Sequence, residues 1–435
     1  MIHSANKRFL IILVLLWAIS AFSRDWAQWR GPFFNGSTDE KDLPASWSAA
    51  EGTKWVSALP GPSGATAIVS NGRVFVTSMV KGTGGYAALC FDEKTGGQLW
   101  RKDVGSDSRS FPRNNLCSPS PVADGNSVFF LYGNGPLVAF DFAGNELWSR
   151  DIEKEHGNLA LQFGYSSSPL LWGDKLYILV IRRDTPYRRP EAAGPLDSFM
   201  LALNPKSGRT IYKHVRKTNA FDEGMETYST TLPFERNGRI ELLNTGGDFV
   251  TAHDPATGEE LWRFEYWTQK VRDTRIIPSL VAGEGIVFGS KHKHNGVFAL
   301  QPPAGDGPAK LLWEFDDAAP DAGTPLFYNG RLYVFDGIMR GKVVTCFEPK
   351  TGRQLWQSTL GGHGRGPWWA SLTAGDGKMY CICETGEVVV LKAGDEKLEV
   401  LFETKYDEGP IQSSIAIANG CLFIRTAENL YCIGK

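Results

Sequence analysis

Short apolar runs separated by Gly, Asn and Asp follow one another along almost the whole chain. In one stretch Val122 and Ala123 lead into Asp124-Gly125, then come Val128 to Tyr132, then Leu137 to Phe140. Runs of this length with turn residues between them predict strands, and Gly, Asn and Asp supply the positive φ that tight hairpins need. Beyond the first two dozen residues no stretch has helical periodicity.

The runs close on a recurring phrase: an acid or amide, a few polar residues, Gly, then an aliphatic residue and an aromatic ring. It runs from Asp92 through Gly96 to Leu99-Trp100, from Asp254 through Gly258 to Leu261-Trp262, and from Glu348 through Gly352 to Leu355-Trp356. Looser copies end at Leu147-Trp148 and Ile211-Tyr212, and a degenerate one at Leu312-Trp313. Two strands precede each phrase, a third runs into it and a fourth carries the ring, which describes a propeller blade of four antiparallel strands. The glycines are expected to serve backbone conformation alone.

Fourth-strand rings fall at Trp100, Trp148, Tyr212, Trp262, Trp313, Trp356 and Phe402, one for each of seven blades. Three further strands follow, around Ile415, Phe423 and Tyr431, with no fourth. Thr53 to Ser57 supplies it, with Trp55 in the ring's place. The expected fold is all-β: an eight-bladed β-propeller of four-stranded antiparallel blades, the last closed by the N-terminal strand pairing with the C-terminal strands.

Ahead of this domain, assigned to residues 53–435, stand two other segments. Lys7 and Arg8, the apolar stretch from Phe9 to Ile19, and small residues at Ala21 and Ser23 make 1–23 a signal peptide, cleaved after Ser23, with a periplasmic or secreted destination. An uncleaved anchor is the alternative, though the apolar run is short for a bilayer, and no transmembrane span is expected after cleavage. Residues 24–52 hold Trp26, Trp29, Phe33, Phe34 and Trp47. These are too many rings to leave in water, so the segment is expected to clasp the propeller, a partner-docking arm being the alternative.

Charge excludes one class of partner: 46 Lys+Arg against 48 Asp+Glu leave a net of -2, which gives no reason to expect nucleic acid. Cys90, Cys346, Cys381, Cys383, Cys421 and Cys432 lie among apolar residues of expected strands, where Cys is a small core filler. Cys421 and Cys432 are the pair placed to meet across neighbouring strands. His292 and His294 lack a third ligand and are expected in a solvated loop rather than on a metal.

The apolar strands followed by Ala202 to Gly208, or by Asp254 to Trp262, resemble the pyrroloquinoline-quinone (PQQ) repeat, and the resemblance runs from about Trp55 to Ile433. Such repeats build the quinoprotein alcohol dehydrogenases and the non-enzymatic BamB subunit of the outer-membrane assembly machinery. Asp25 to Pro32 is similar to the start of a group of exported bacterial propellers. The dehydrogenase branch implies a disulfide between adjacent cysteines beside the quinone, with Glu, Asn and Asp on calcium and a further Asp as base. Here no two cysteines are adjacent, no acid matches by motif, and no Cys-x-x-Cys-His is present for heme. No cofactor is therefore expected; PQQ with calcium is the alternative without motif support.

Loops after the first and third strands of each blade are short turns, whereas those after the second and fourth are long and charged and mark the functional face. Arg113, Arg275 and Arg365 precede innermost strands there and should ring the channel mouth with Asp222, Asp273 and His363. Trp368 and Trp369 offer an aromatic platform for a peptide or sugar; blade packing is the competing role, weightier for Trp369. Mixed Arg/His and Asp/Glu suit a polar or peptidic partner. The expected function is a non-catalytic binding or scaffold propeller for an envelope or outer-membrane protein. The alternatives are a PQQ-dependent dehydrogenase and a polysaccharide- or peptide-binding propeller of a secreted degradative system.

Overall fold

Each blade is a hairpin pair whose turns need left-handed backbone, and in six of the eight the sequence puts Asn-Gly or Asp-Gly at the first turn. Asn71-Gly72, Asn329-Gly330, Asp376-Gly377 and Asn419-Gly420 all have positive φ at both residues, the geometry of two-residue hairpin loops. The computed structural model describes residues 25–435 apart from 160, 186, 188–195, 270, 271, 273, 293, 294, 306, 339–341, 363–365 and 395. The leader read at 1–23, together with Asp273, His294, His363 and Arg365, therefore lies outside the described residues.

Among the described residues, thirty-two strands form eight four-stranded antiparallel sheets. From the channel outward, blade 1 spans Ile68 to Ser106, blade 2 Val122 to Asp151, blade 3 Leu170 to Val215, blade 4 Leu232 to Glu265 and blade 5 Val281 to Phe315. Blades 6 and 7 span Leu326 to Thr359 and Thr373 to Lys405. Blade 8 takes Ala416–Ala418, Cys421–Arg425 and Asn429–Gly434, and Thr53–Ala58 is its outermost strand, with Trp55 opposite Cys432 and Val56 opposite Tyr431. The innermost strands stand side by side around the channel. Among the described residues the helices are a single turn, Ile152–His156, capped by the Asp151 carboxylate, and a 3-10 turn, Asp222–Met225. None is long and apolar enough to cross a membrane.

The repeated phrase does more than turn the chain. A β-bulge precedes the ring in every outer strand, as between Cys90-Trp100 and Phe91-Gln98. The extra residue is aliphatic in seven blades and Lys54 in blade 8: Leu99 stays 46% exposed while Trp100 tucks inward. At five of the eight junctions the inward ring then lies on the phrase glycine of the following blade. A β-carbon added to Gly96 would stand 2.5 Å from Trp55, on Gly144 2.9 Å from Trp100, on Gly208 2.7 Å from Trp148, and on Gly352 2.5 Å from Trp313. The expectation that these glycines serve backbone conformation alone is thus corrected, because only a residue without a side chain lets the ring reach the next blade.

The ring's N–H finishes the joint. Trp55 Nε1 donates to the Glu93 carbonyl at 2.9 Å, Trp148 to Pro205 at 2.7 Å and Trp313 to Pro349 at 2.8 Å. Trp262 departs from the rule, since the following blade has only the degenerate copy of the phrase, and donates instead to Glu241 Oε2 at 2.8 Å.

Residues 25–52 cross beneath the short-turn face. Trp26 bridges to Val69 and is fully buried, the Ala27 carbonyl accepts from Ala123 N–H, and Glu40 takes the amides of Asn419 and Gly420. Buried Arg30 donates to the carbonyls of Leu372 (2.8 Å), Pro325 (2.9 Å) and Asn35 (2.8 Å), joining blades 6 and 7 across the channel floor. Phe33 remains half exposed. All seven cysteines are buried free thiols. His292 corrects the expectation of a solvated loop: it is fully buried between Tyr266 and Trp267, with Nε2 2.8 Å from Asp248 Oδ1.

Candidate functional site

The channel holds a cup below the long-loop face, and its lining includes Trp29 from the segment that crosses the short-turn face. Its volume is about 180 Å³, and all eight blades contribute to its wall. Two tiers of residues make that wall, set by the alternation of side chains as the chain runs into each innermost strand.

The lower tier stands two residues before the first residue of each innermost strand: Thr66, Ser120, Ser168, Thr230, Ser279, Thr324, Ser371 and Ser414. Every member is Ser or Thr. Each hydroxyl oxygen from Ser120 to Ser414 accepts the amide N–H of the tier member one blade before it, at 2.8–3.0 Å. Seven of the eight junctions are thereby laced in a belt, and the unlaced one lies between blades 8 and 1. Belt bonds satisfy backbone donors that no sheet reaches.

The upper tier stands two residues earlier again and varies: Gly64, Ser118, Ser166, Tyr228, Ile277, Ala322, Trp369 and Gln412, all on the cup wall. One side is therefore small and the other bulky. Phe163, Asn114, Arg113 and Arg275 complete the wall.

The two described arginines of the expected mouth differ in state. Arg113 is exposed, adopts φ 58°, and holds its guanidinium 5.6 Å from the centre of the Trp369 ring. It has no ionic partner among the described residues, and its carbonyl accepts from Gln412 Nε2 at 2.9 Å. Arg275 is only 7% exposed and is committed to Glu223 (3.0 Å) and Asp321 (3.6 Å), with its guanidinium 4.5 Å from the Phe163 ring centre. Asp222 is placed off the cup wall, in ion pairs with Arg183 and, at 3.6 Å, with Arg272. Trp368 is placed otherwise than expected. It is 1% exposed and packs on Phe335 and Gly337, so it offers no platform, whereas Trp369 takes the channel place. Adjacent residues on an extended chain face opposite ways, which exchanges the two roles.

Behind the wall, Glu226 is fully buried, bound by Arg183 Nε at 2.6 Å, Tyr228 Oη at 2.8 Å and the Gln162 amide at 3.1 Å. Burial pushes its carboxyl above the usual range, against the pull of Arg183. Tyr228 thus turns its hydroxyl outward and only its ring to the cup.

A calcium-held quinone needs carboxylates and a vicinal cysteine pair at this position. Among the described residues the wall carries neither, Glu223 and Glu226 are turned into pairs with arginines, and no three His, Cys, Asp or Glu converge as metal ligands. The donor set does not fit that group.

Comparison with known proteins agrees with the geometry of the fold. A PQQ-repeat family model described as outer membrane protein assembly factor BamB matches residues 36–184 and 340–433. Quinohemoprotein alcohol dehydrogenase ADH IIB of Pseudomonas putida is 30% identical over 137 residues, covering 29% of this chain and 17% of that protein, well under two thirds of its length. Among solved structures, a europium-containing methanol dehydrogenase aligns with TM-score 0.66 at 11% identity, covering 93% of this chain and 90% of the other. BamB from Moraxella catarrhalis aligns with TM-score 0.58 at 13% identity, covering 88% and 98%. At such identities the likeness is one of fold.

Proposed function

The chain belongs to the PQQ-repeat propeller family described as outer membrane protein assembly factor BamB, and on that footing we propose that it is a non-catalytic binding propeller of the cell envelope. Its partner is an envelope protein, held at the long-loop face. The observation that carries this reading is the cup wall, where, among the described residues, the unpaired Arg113 cation, aromatic rings and hydroxyls meet without a carboxylate. Such a surface recognises and orients a polar chain but holds no acid or base poised for chemistry. The positive start and apolar stretch of residues 1–23 support export to a periplasm or the medium.

The test is capture of envelope proteins on immobilised residues 24–435. Arg113→Glu with Trp369→Ala should lose the captured partner, while Lys94→Glu on the short-turn face should keep it. Capture indifferent to the loop-face change would overturn the assignment. So would a chelator-sensitive rise of several degrees in unfolding temperature with PQQ and calcium, because a ligand that binds only the folded state stabilises it.

A further inference from the structure

The belt leaves a chemical need unmet. Six of its hydroxyls, those of Ser120, Ser168, Thr230, Thr324, Ser371 and Ser414, both line the cup and accept a backbone N–H. Each hydroxyl also has one proton to donate. Among the described residues no protein acceptor takes these protons, and no carboxylate stands on the wall. Half a dozen donors therefore ring the bottom of a cavity of about 180 Å³.

Above them, Arg113 brings a positive charge that no described residue neutralises, and Phe163, Tyr228, Ile277 and Trp369 bring apolar surface. Donors below, a cation at the rim and rings between them call for a ligand with acceptors only at its tip and an apolar body behind it. An ionised carboxylate is such a tip. The floor narrows the choice further. Trp29 joins the lining from the segment that crosses the short-turn face, in the path of a strand that would run straight through, and this favours a chain end over a passing strand.

We propose that the cup receives the last residue of an extended protein chain, its terminal carboxylate on the belt hydroxyls and its apolar side chain against Trp369 and Phe163. This rests on the binding role argued above and names the part of the partner that the site takes. The upper tier sets which side chain fits, since it varies around the ring while the belt does not.

Three short peptides test it on residues 24–435 by calorimetry: Gly-Ser-Ala-Leu as the free acid, the same sequence as the C-terminal amide, and an acetylated, amidated peptide with one internal Asp. The acid should bind at least about tenfold more tightly than the amide, the scale of a charge-assisted hydrogen bond, and the internal Asp peptide should follow the amide. Arg113→Gln should weaken the acid several-fold and Arg113→Lys should restore it. Thr230→Ser should keep the acid preference and Thr230→Val should reduce it. Equal binding of acid and amide, or none by either at millimolar concentration, would overturn the proposal, and an internal Asp peptide as tight as the acid would overturn the chain-end assignment. Partner capture that still depends on Arg113 and Trp369 while acid and amide bind alike would remove this inference and leave the binding role standing.

Discussion

Gly96 lies against the indole of Trp55, so close that a β-carbon on it would fall 2.5 Å from Cδ2 and 2.6 Å from Cε3. Since Trp55 belongs to blade 8 and Gly96 to blade 1, this contact seals the ring where the chain closes on itself. Gly96→Ala should cost about 3 kcal/mol or more, combining a left-handed backbone at φ 71° with a clash against a ring that has nowhere to go. Gly420→Ala has a similar φ of 75° but nothing within 4 Å, so about 1 kcal/mol should suffice. Urea denaturation of the two variants separates steric from conformational cost.

The belt makes a sharper prediction. Thr324 Oγ1 accepts the amide of Ser279 at 3.0 Å in a buried place. Thr324→Val keeps the shape and leaves that N–H without a partner, for about 1–3 kcal/mol, whereas Thr324→Ser should be nearly neutral. Equal stability of the two variants would mean that the belt is not a structural tie.

His253 should make stability depend on pH. Burial pulls its imidazole down to about 4, and its neutral form suits the site, with Nδ1 3.0 Å from the Gly258 carbonyl and Nε2 3.0 Å from Thr251 Oγ1. The unfolded chain takes up this proton near its ordinary value of about 6.5. Its contribution is therefore complete above that pH, declines as the pH falls towards about 4, and is then exhausted, a loss of about 3 kcal/mol. His253→Gln should flatten this part of the profile in thermal unfolding followed from pH 7 downward.

Arg30 ties the floor. An ammonium cannot reach the three carbonyls that its guanidinium serves, so Arg30→Lys should cost about 2 kcal/mol. Limited proteolysis should then cut between residues 25 and 52 in the variant sooner than in the parent.

The blades and their closure were legible because Gly, ring and turn residues lie within one short phrase, which local chemistry decides. The belt was not, although a Ser or Thr stands two residues before every innermost strand. Those strands are as short as Val122–Ala123, too short for alternation to register. The same gap exchanged Trp368 and Trp369: counting back from Ser371 would have put Trp369 in the channel. The burial of His292 is hidden from the sequence for another reason. Its sequence neighbours are Gly and Lys, and what buries it, Asp248 with Tyr266 and Trp267, comes from blade 4 and the loop that follows it.

The pairing of Thr53 with Ile433 also governs when folding can finish. Thr53–Ala58 is made first among the strands and its partner, Asn429–Gly434, last, so throughout synthesis the outer strand of blade 8 has nothing to pair with and Trp55 has only half its seat. Loop closure over nearly the whole domain must precede the reward of that contact, which slows the final step. Until it occurs the chain carries an open sheet edge at each end, the kind of surface on which neighbouring chains pair.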